Sequence, residues 1–193
     1  MVLFFLIIGT ALAIIDIFYK INTLKQNIIR RLVFIFLGIV SVYFVDKTYL
    51  KLTFRSLIYG ILVGVFFLLL HIIIAKGIKL KIKEIDKGLV YTSLLIYILE
   101  LPGEEFLYRG IIFISLMKIF NPILAILITS ILFLGLHFKT WSNKKIWIGS
   151  LVLGLVCATS VYLTNSIWTA IFIHNLNDFG FLTLINKRNI FIK

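Results

Sequence analysis

A chain of 193 residues that is 61% hydrophobic and only 15% charged has too little polar surface to cover a water-soluble domain of its length. Its 20 Lys and Arg outweigh 8 Asp and Glu to give a net charge of +12. The bases fall in short clusters between apolar runs, at 20–31, 47–55, 76–87, 139–145 and 187–193; this suits loops beside anionic lipid headgroups and excludes the continuous basic face of a nucleic-acid binder.

A membrane-spanning helix needs about 20 mostly apolar residues. Residues 1–19 are the first candidate, interrupted by Asp16. No basic segment opens them and no small-residue cleavage site closes them, so they read as a retained helix rather than a signal peptide. Further candidates follow at 32–45, 54–75, 88–101, 104–119, 122–138, 146–163 and 166–186. Pro102-Gly103 and Asn121-Pro122 are the sharpest expected breaks. The runs 88–101 and 104–119 are short, which leaves a count of seven or eight spans. Nothing alternates with the period of two that a membrane barrel requires. Cys157 is alone in an apolar run, which excludes a disulfide framework or a cysteine zinc site and reads as a small packing residue. The expected fold is an all-α, polytopic transmembrane helix bundle. Residues 1–193 form one integral membrane domain, with no linker, low-complexity tract or repeat. Lys and Arg divide almost evenly between the two sides of such a bundle, so the positive-inside rule selects no orientation.

Ionisable groups at membrane depth are costly, so each is a candidate for function. Glu100, Glu104, Glu105 and Asp178 lie in or beside the apolar runs, with Asp16 less suggestive. His137 and His174 end or interrupt two others. Singly, each has a plain structural reading. Glu105 and Arg109, at i,i+4, suit a buried ion pair that registers a helix, and a lone histidine is more often a satisfied core residue. The set argues otherwise. Phe133 and His137 share a helical face, as do His174 and Asp178. Glu104 stands about 100° round its helix from Glu105. If Glu105 holds Arg109, Glu104 is left free and aimed elsewhere.

These residues carry a resemblance. Pro102-Gly103-Glu104-Glu105-Phe106-Leu107-Tyr108-Arg109-Gly110 resembles the EExxxR motif of the CAAX-prenyl-endopeptidase and bacteriocin-processing (CPBP, or Abi) family of intramembrane proteases. Phe133 to His137 is similar to that family's FxxxH motif, and His174 to Asp178 to its third motif, HxxxN or HxxxD. The resemblance covers a catalytic core of about 88–186. It implies an endopeptidase in which Glu104 is the acid/base, His137 helps activate water, and His174 and Asp178 stabilise the oxyanion. Glu105, Arg109 and Phe133 complete the motifs. Where many members have Asn, this chain has Asp178, and an ionised Asp donates no hydrogen bond. Either Asp178 is protonated, or it orients His174, or Asn177, about 60° from His174 on the helix, supplies the donor.

Amide hydrolysis needs an activated water, a proton for the leaving amine and donors for the oxyanion. No serine or cysteine accompanies a histidine in the motifs, which disfavours a covalent nucleophile. A zinc held by Glu104, His137 and His174 is the alternative to a metal-free mechanism. The absence of HExxH favours the metal-free form, with no cofactor. Two other classes compete: a non-enzymatic bacteriocin-immunity or membrane interaction protein, and a small transporter with midplane carboxylates. The chain shows no internally repeated halves of the kind transporters carry. The expected partners are membrane lipid and a peptide or membrane-protein substrate. Richness in Ile, Lys and Asn points to a bacterial plasma membrane and away from prenylated substrates.

Overall fold

The computed structural model describes residues 1–19, 23–78, 87–140 and 143–185, and their regular structure is helical. In chain order these are α1 (Val2–Phe18), α2 (Leu24–Asp46, tightening into a 3-10 turn at Lys47–Leu50) and α3 (Phe54–Ile74). A long α4 (87–117), α5 (Pro122–Thr140), α6 (Lys144–Thr164) and α7 (Ile167–Gly180, continued by a π turn at Phe181–Ile185) complete the bundle. Residues 20–22, 79–86, 141–142 and 186–193, where parts of four basic clusters and the end of the 166–186 run were expected, lie outside the described residues.

Leu24–Leu50, Phe54–Ile74 and Lys144–Thr164 are each long and apolar enough to cross a membrane, and Val2–Phe18 and Pro122–Phe138 are shorter apolar helices. Their outer faces carry large apolar side chains in the open, among them Phe36, Phe54, Ile73, Ile123 and Ile148. A water-exposed fold rarely tolerates so much contiguous apolar surface, whereas lipid solvates it.

Local chemistry sets the ends. Thr23 Oγ1 accepts from Gln26 N–H at the start of α2, which places that start well before residue 32. Thr53 and Ser56 form a reciprocal capping box on α3. Asn121 Oδ1 caps α5 through Leu124 N–H, with Pro122 at the first helical position. The Asn121-Pro122 break therefore stands.

The Pro102-Gly103 break does not. The helices expected at 88–101 and 104–119 are one rod. Proline inside a helix removes a hydrogen bond and crowds the carbonyl four residues back. Here the turn before it, Leu95–Glu100, opens to π spacing, with Leu101 N–H reaching Ile96 O, and the chain stays helical through Pro102. A second π stretch, Phe106–Phe113, follows. Widened turns of this kind gather at functional sites.

From Gly103 to Leu116 every residue of α4 is buried. A helix buried on all sides is the axis of its bundle; α1, α2, α5, α6 and α7 pack against it, α3 packs on α7, and small residues sit at several of the helix contacts. Gly38 of α2 lies so close to α4 that a Cβ would meet Phe106 Cβ at 2.6 Å. Gly64 of α3 sits equally tightly on α7, with Leu176 Cδ1 at 2.7 Å from such a Cβ. Gly154 of α6 admits Ser130 and Phe133 of α5. Such glycines let membrane helices approach backbone to backbone.

Candidate active site

The axial helix presents two adjacent glutamates to different neighbours. Glu105 is fully buried, and its Oε1 accepts from Arg109 Nη1 at 2.9 Å and from His174 Nδ1 at 2.7 Å. Arg109 Nη2 donates to Gly154 O at 3.1 Å, tying α6 to the same group. The expected Glu105–Arg109 pair is present, and it also fixes His174. A carboxylate only accepts, so Nδ1 of His174 carries the proton and Nε2 faces Asp178 Oδ1 at 3.7 Å.

Glu104 is 6% exposed and turns toward α2. The expectation that it would be left free is corrected here: Arg31 Nη2 donates to its Oε1 at 2.9 Å. Arg31 also lies 3.5 Å from Glu100 and 3.6 Å from Asp16, and Asp16 pairs with Arg30. Arg31 belongs to a helix whose start the sequence placed one residue too late to contain it, among bases assigned to a lipid-facing loop.

A cavity of about 980 Å³ opens beside these groups. Glu104, His137, Asn177 and Asp178 line it, together with Arg31 and His71. His137 Nδ1 donates to Phe133 O at 3.1 Å, a carbonyl that can only accept, so Nε2 is the atom left with a lone pair. Asn177 Nδ2 donates to Asp178 Oδ1 at 2.8 Å. The remaining motif residues, Glu105, Arg109, Phe133 and His174, do not line the cavity and form a layer behind it. Phe133, wholly buried, is the hub of that layer. Its ring stands 4.7 Å from the His137 ring, 5.6 Å from that of His174 and 5.4 Å from that of Tyr108. The Arg109 guanidinium sits 4.5 Å over it, within cation–π range.

The motif residues of α4, α5 and α7 thus meet at one place, in two layers. Residues 86–180, about half of the chain, match the family model described as type II CAAX prenyl endopeptidase Rce1-like. That similarity is consistent with the CPBP family. Comparisons with curated proteins and with solved structures found no match. The Rce1-like match and the apolar helices together make this an integral membrane protein.

A zinc on Glu104, His137 and His174 would need the three to converge. Among the described residues no three His, Cys, Asp or Glu side chains are grouped so as to hold a metal ion. Glu104 faces a guanidinium and His174 lies in the rear layer, bonded to Glu105. Sequence reasoning also passed over His71 on α3, which lines the cavity and rests against Gly180 of α7. Its apolar surroundings, Leu68 to Ile74, gave no motif to mark it.

Proposed function

We propose that the protein is an intramembrane endopeptidase of the CAAX-protease type that hydrolyses a peptide bond with water activated by Glu104 and His137. One observation carries the reading. Glu104 from α4 and His137 from α5 line the same cavity, Glu104 with its Oε1 held by Arg31 and His137 with its Nδ1 held by the Phe133 carbonyl.

In this reading a water sits between the Glu104 carboxylate and His137 Nε2. Glu104 takes its proton as the hydroxide oxygen bonds to the peptide carbonyl carbon, and the carbonyl π electrons move to oxygen. Asn177 has two N–H donors, of which one serves Asp178. The other donates to the oxyanion, an interaction worth about 3–4 kcal/mol in the transition state. Collapse of that intermediate breaks the C–N bond, and Glu104 returns its proton to the leaving amine. Asp178 orients Asn177, and His174 braces Glu105. This assignment moves the donor from the residue at the family's position, Asp178, to its neighbour. In this reading the mechanism is metal-free. The setting is a bundle of about seven helices in a bacterial plasma membrane, and the substrate is a peptide or membrane-protein segment within reach of that cavity.

The test is peptidase profiling in nanodiscs with a defined peptide library read by mass spectrometry. Wild type should cleave a subset of the library, and Glu104→Gln should cleave none while remaining folded. Equal cleavage by folded Glu104→Gln would end the proposal.

A further inference from the structure

The site described above draws on helices beyond the matched half of the chain. Arg31 is 3% exposed, sits at the cavity wall, and reaches Glu104 Oε1 at 2.9 Å. Its place is built from three directions. Gly103 makes room on α4, where a Cβ would meet Arg31 Cδ at 3.2 Å and Arg31 Cβ at 3.3 Å. Phe34, one turn on, lies 5.7 Å beneath the guanidinium. Asp16 of α1, itself buried, stands 3.6 Å from Nη1 and pairs with Arg30 beside it.

A carboxylate that must accept and return a proton has to present one oxygen repeatedly in the same place, because misplacement by an ångström costs orders of magnitude in rate. We propose that Arg31, braced by Asp16, is a positioning residue for Glu104. Its guanidinium holds Oε1, so that Oε2 faces the cavity and the water. The inference rests on the protease reading for its effect on rate, while the Arg31–Glu104 bond itself can be read without turnover. It makes α1 and α2 working parts of the site, since the pair joins α2 to the axial helix and its brace comes from α1. A purely structural ion pair is the competing view. On that view Arg31 only offsets buried charge, and its loss would reduce folded yield without touching turnover in the molecules that remain folded.

The experiment compares wild type, Arg31→Gln, Arg31→Lys and Lys118→Gln in nanodiscs, the last removing an exposed ion pair with Asp46 far from the cavity. On a peptide that wild type cleaves, Arg31→Gln should lower kcat by about a hundredfold with KM changed no more than about twofold, the pattern of lost transition-state alignment. Arg31→Lys should recover part of kcat, added guanidinium should partly rescue Arg31→Gln, and Lys118→Gln should behave as wild type. An unchanged kcat in folded Arg31→Gln overturns the proposal. The infrared difference spectrum of wild type minus Glu104→Gln supplies the second measurement, because it isolates the Glu104 carboxylate bands. Arg31→Gln should shift those bands, and unshifted bands overturn the proposal even if the library is never cleaved. If Arg31→Gln does not fold, Arg31→Lys carries both measurements, with a tenfold loss of kcat and a smaller band shift expected. A wild type that cleaves nothing, with bands that do shift, refutes the protease reading and leaves the Arg31–Glu104 placement standing.

Discussion

Replacing Glu105 by Gln should unfold the protein far more readily than replacing Glu104 by Gln, although the two residues are adjacent and both are buried. Glu105 Oε1 takes hydrogen bonds from Arg109 and His174, and both partners are at most 1% exposed. The amide oxygen of Gln can still accept, but the negative charge is gone. Arg109 is then left with neutral partners, that amide oxygen, the Gly154 carbonyl and the face of Phe133. Breaking a buried ion pair from one side costs about 3–5 kcal/mol, because the other charge stays desolvated and uncompensated. Glu104→Gln removes the charge opposite Arg31, which retains Glu100 at 3.5 Å and Asp16 at 3.6 Å. Its cost should therefore be nearer 1 kcal/mol, the scale of one hydrogen bond. Reversible unfolding of each variant by a graded denaturing detergent, followed by tryptophan fluorescence and by limited proteolysis, measures the difference directly. Equal stability of the two variants would refute the assignment of Glu105 to the rear, charge-compensating layer.

Because Glu104 and His137 are assigned to one water, Glu104→Gln and His137→Gln should each abolish cleavage, and the double variant should be scarcely worse than either; additive losses in single-turnover rates would argue for separate roles. Phe133→Ala should cost about 3–5 kcal/mol in the same unfolding assay, with loss of activity, because the ring supports both histidines and Arg109; Phe133→Leu should retain more of both. Extensively chelated protein should keep its activity and contain far less than one zinc per chain, whereas activity lost on chelation and restored only by zinc would make Glu104 and the histidines ligands. If expression of the protein protects cells from a bacteriocin, Glu104→Gln at an unchanged membrane level should remove the protection; full protection would favour the immunity reading without enzymology.

The helical class was legible because long apolar runs without period-two alternation suit membrane helices and not a membrane barrel, and six of the eight expected runs match a single helix each. The two that merged show why the rest was not legible. Pro102-Gly103 has the local chemistry of a break, and reading it as one ignored the option of widening the preceding turn. That option is a local π adjustment of the kind membrane helices use to carry proline, and no residue of Leu95–Glu100 announces it; the packing that holds the rod together, from Gly103 to Leu116, is a tertiary fact. The start of α2 was missed for a different reason. Charged residues at 25, 30 and 31 dilute the hydropathy of its first turns, while the Thr23 cap that begins the helix is a single residue.

The same dilution hid half of the ion network round Glu104. Hydropathy averages over all faces, but a helix is buried on one. The buried residues of α2 are Arg31, Phe34, Gly38, Ser41 and Val42, and those of α1 are Phe5, Gly9, Ala13 and Asp16. Both sets recur at intervals of three and four, the period of one helical face. Read by face rather than by average, Arg31 and Asp16 each sit at the end of an otherwise apolar or small-residue stripe. They are therefore the charges that the stripe carries into the bundle, and opposite signs at matched ends of α1 and α2 are a pairing signal in the sequence itself. The motifs of α4, α5 and α7 identify which groups gather in the interior. The stripes of α1 and α2 identify what compensates the one carboxylate that those motifs, read alone, leave without a partner.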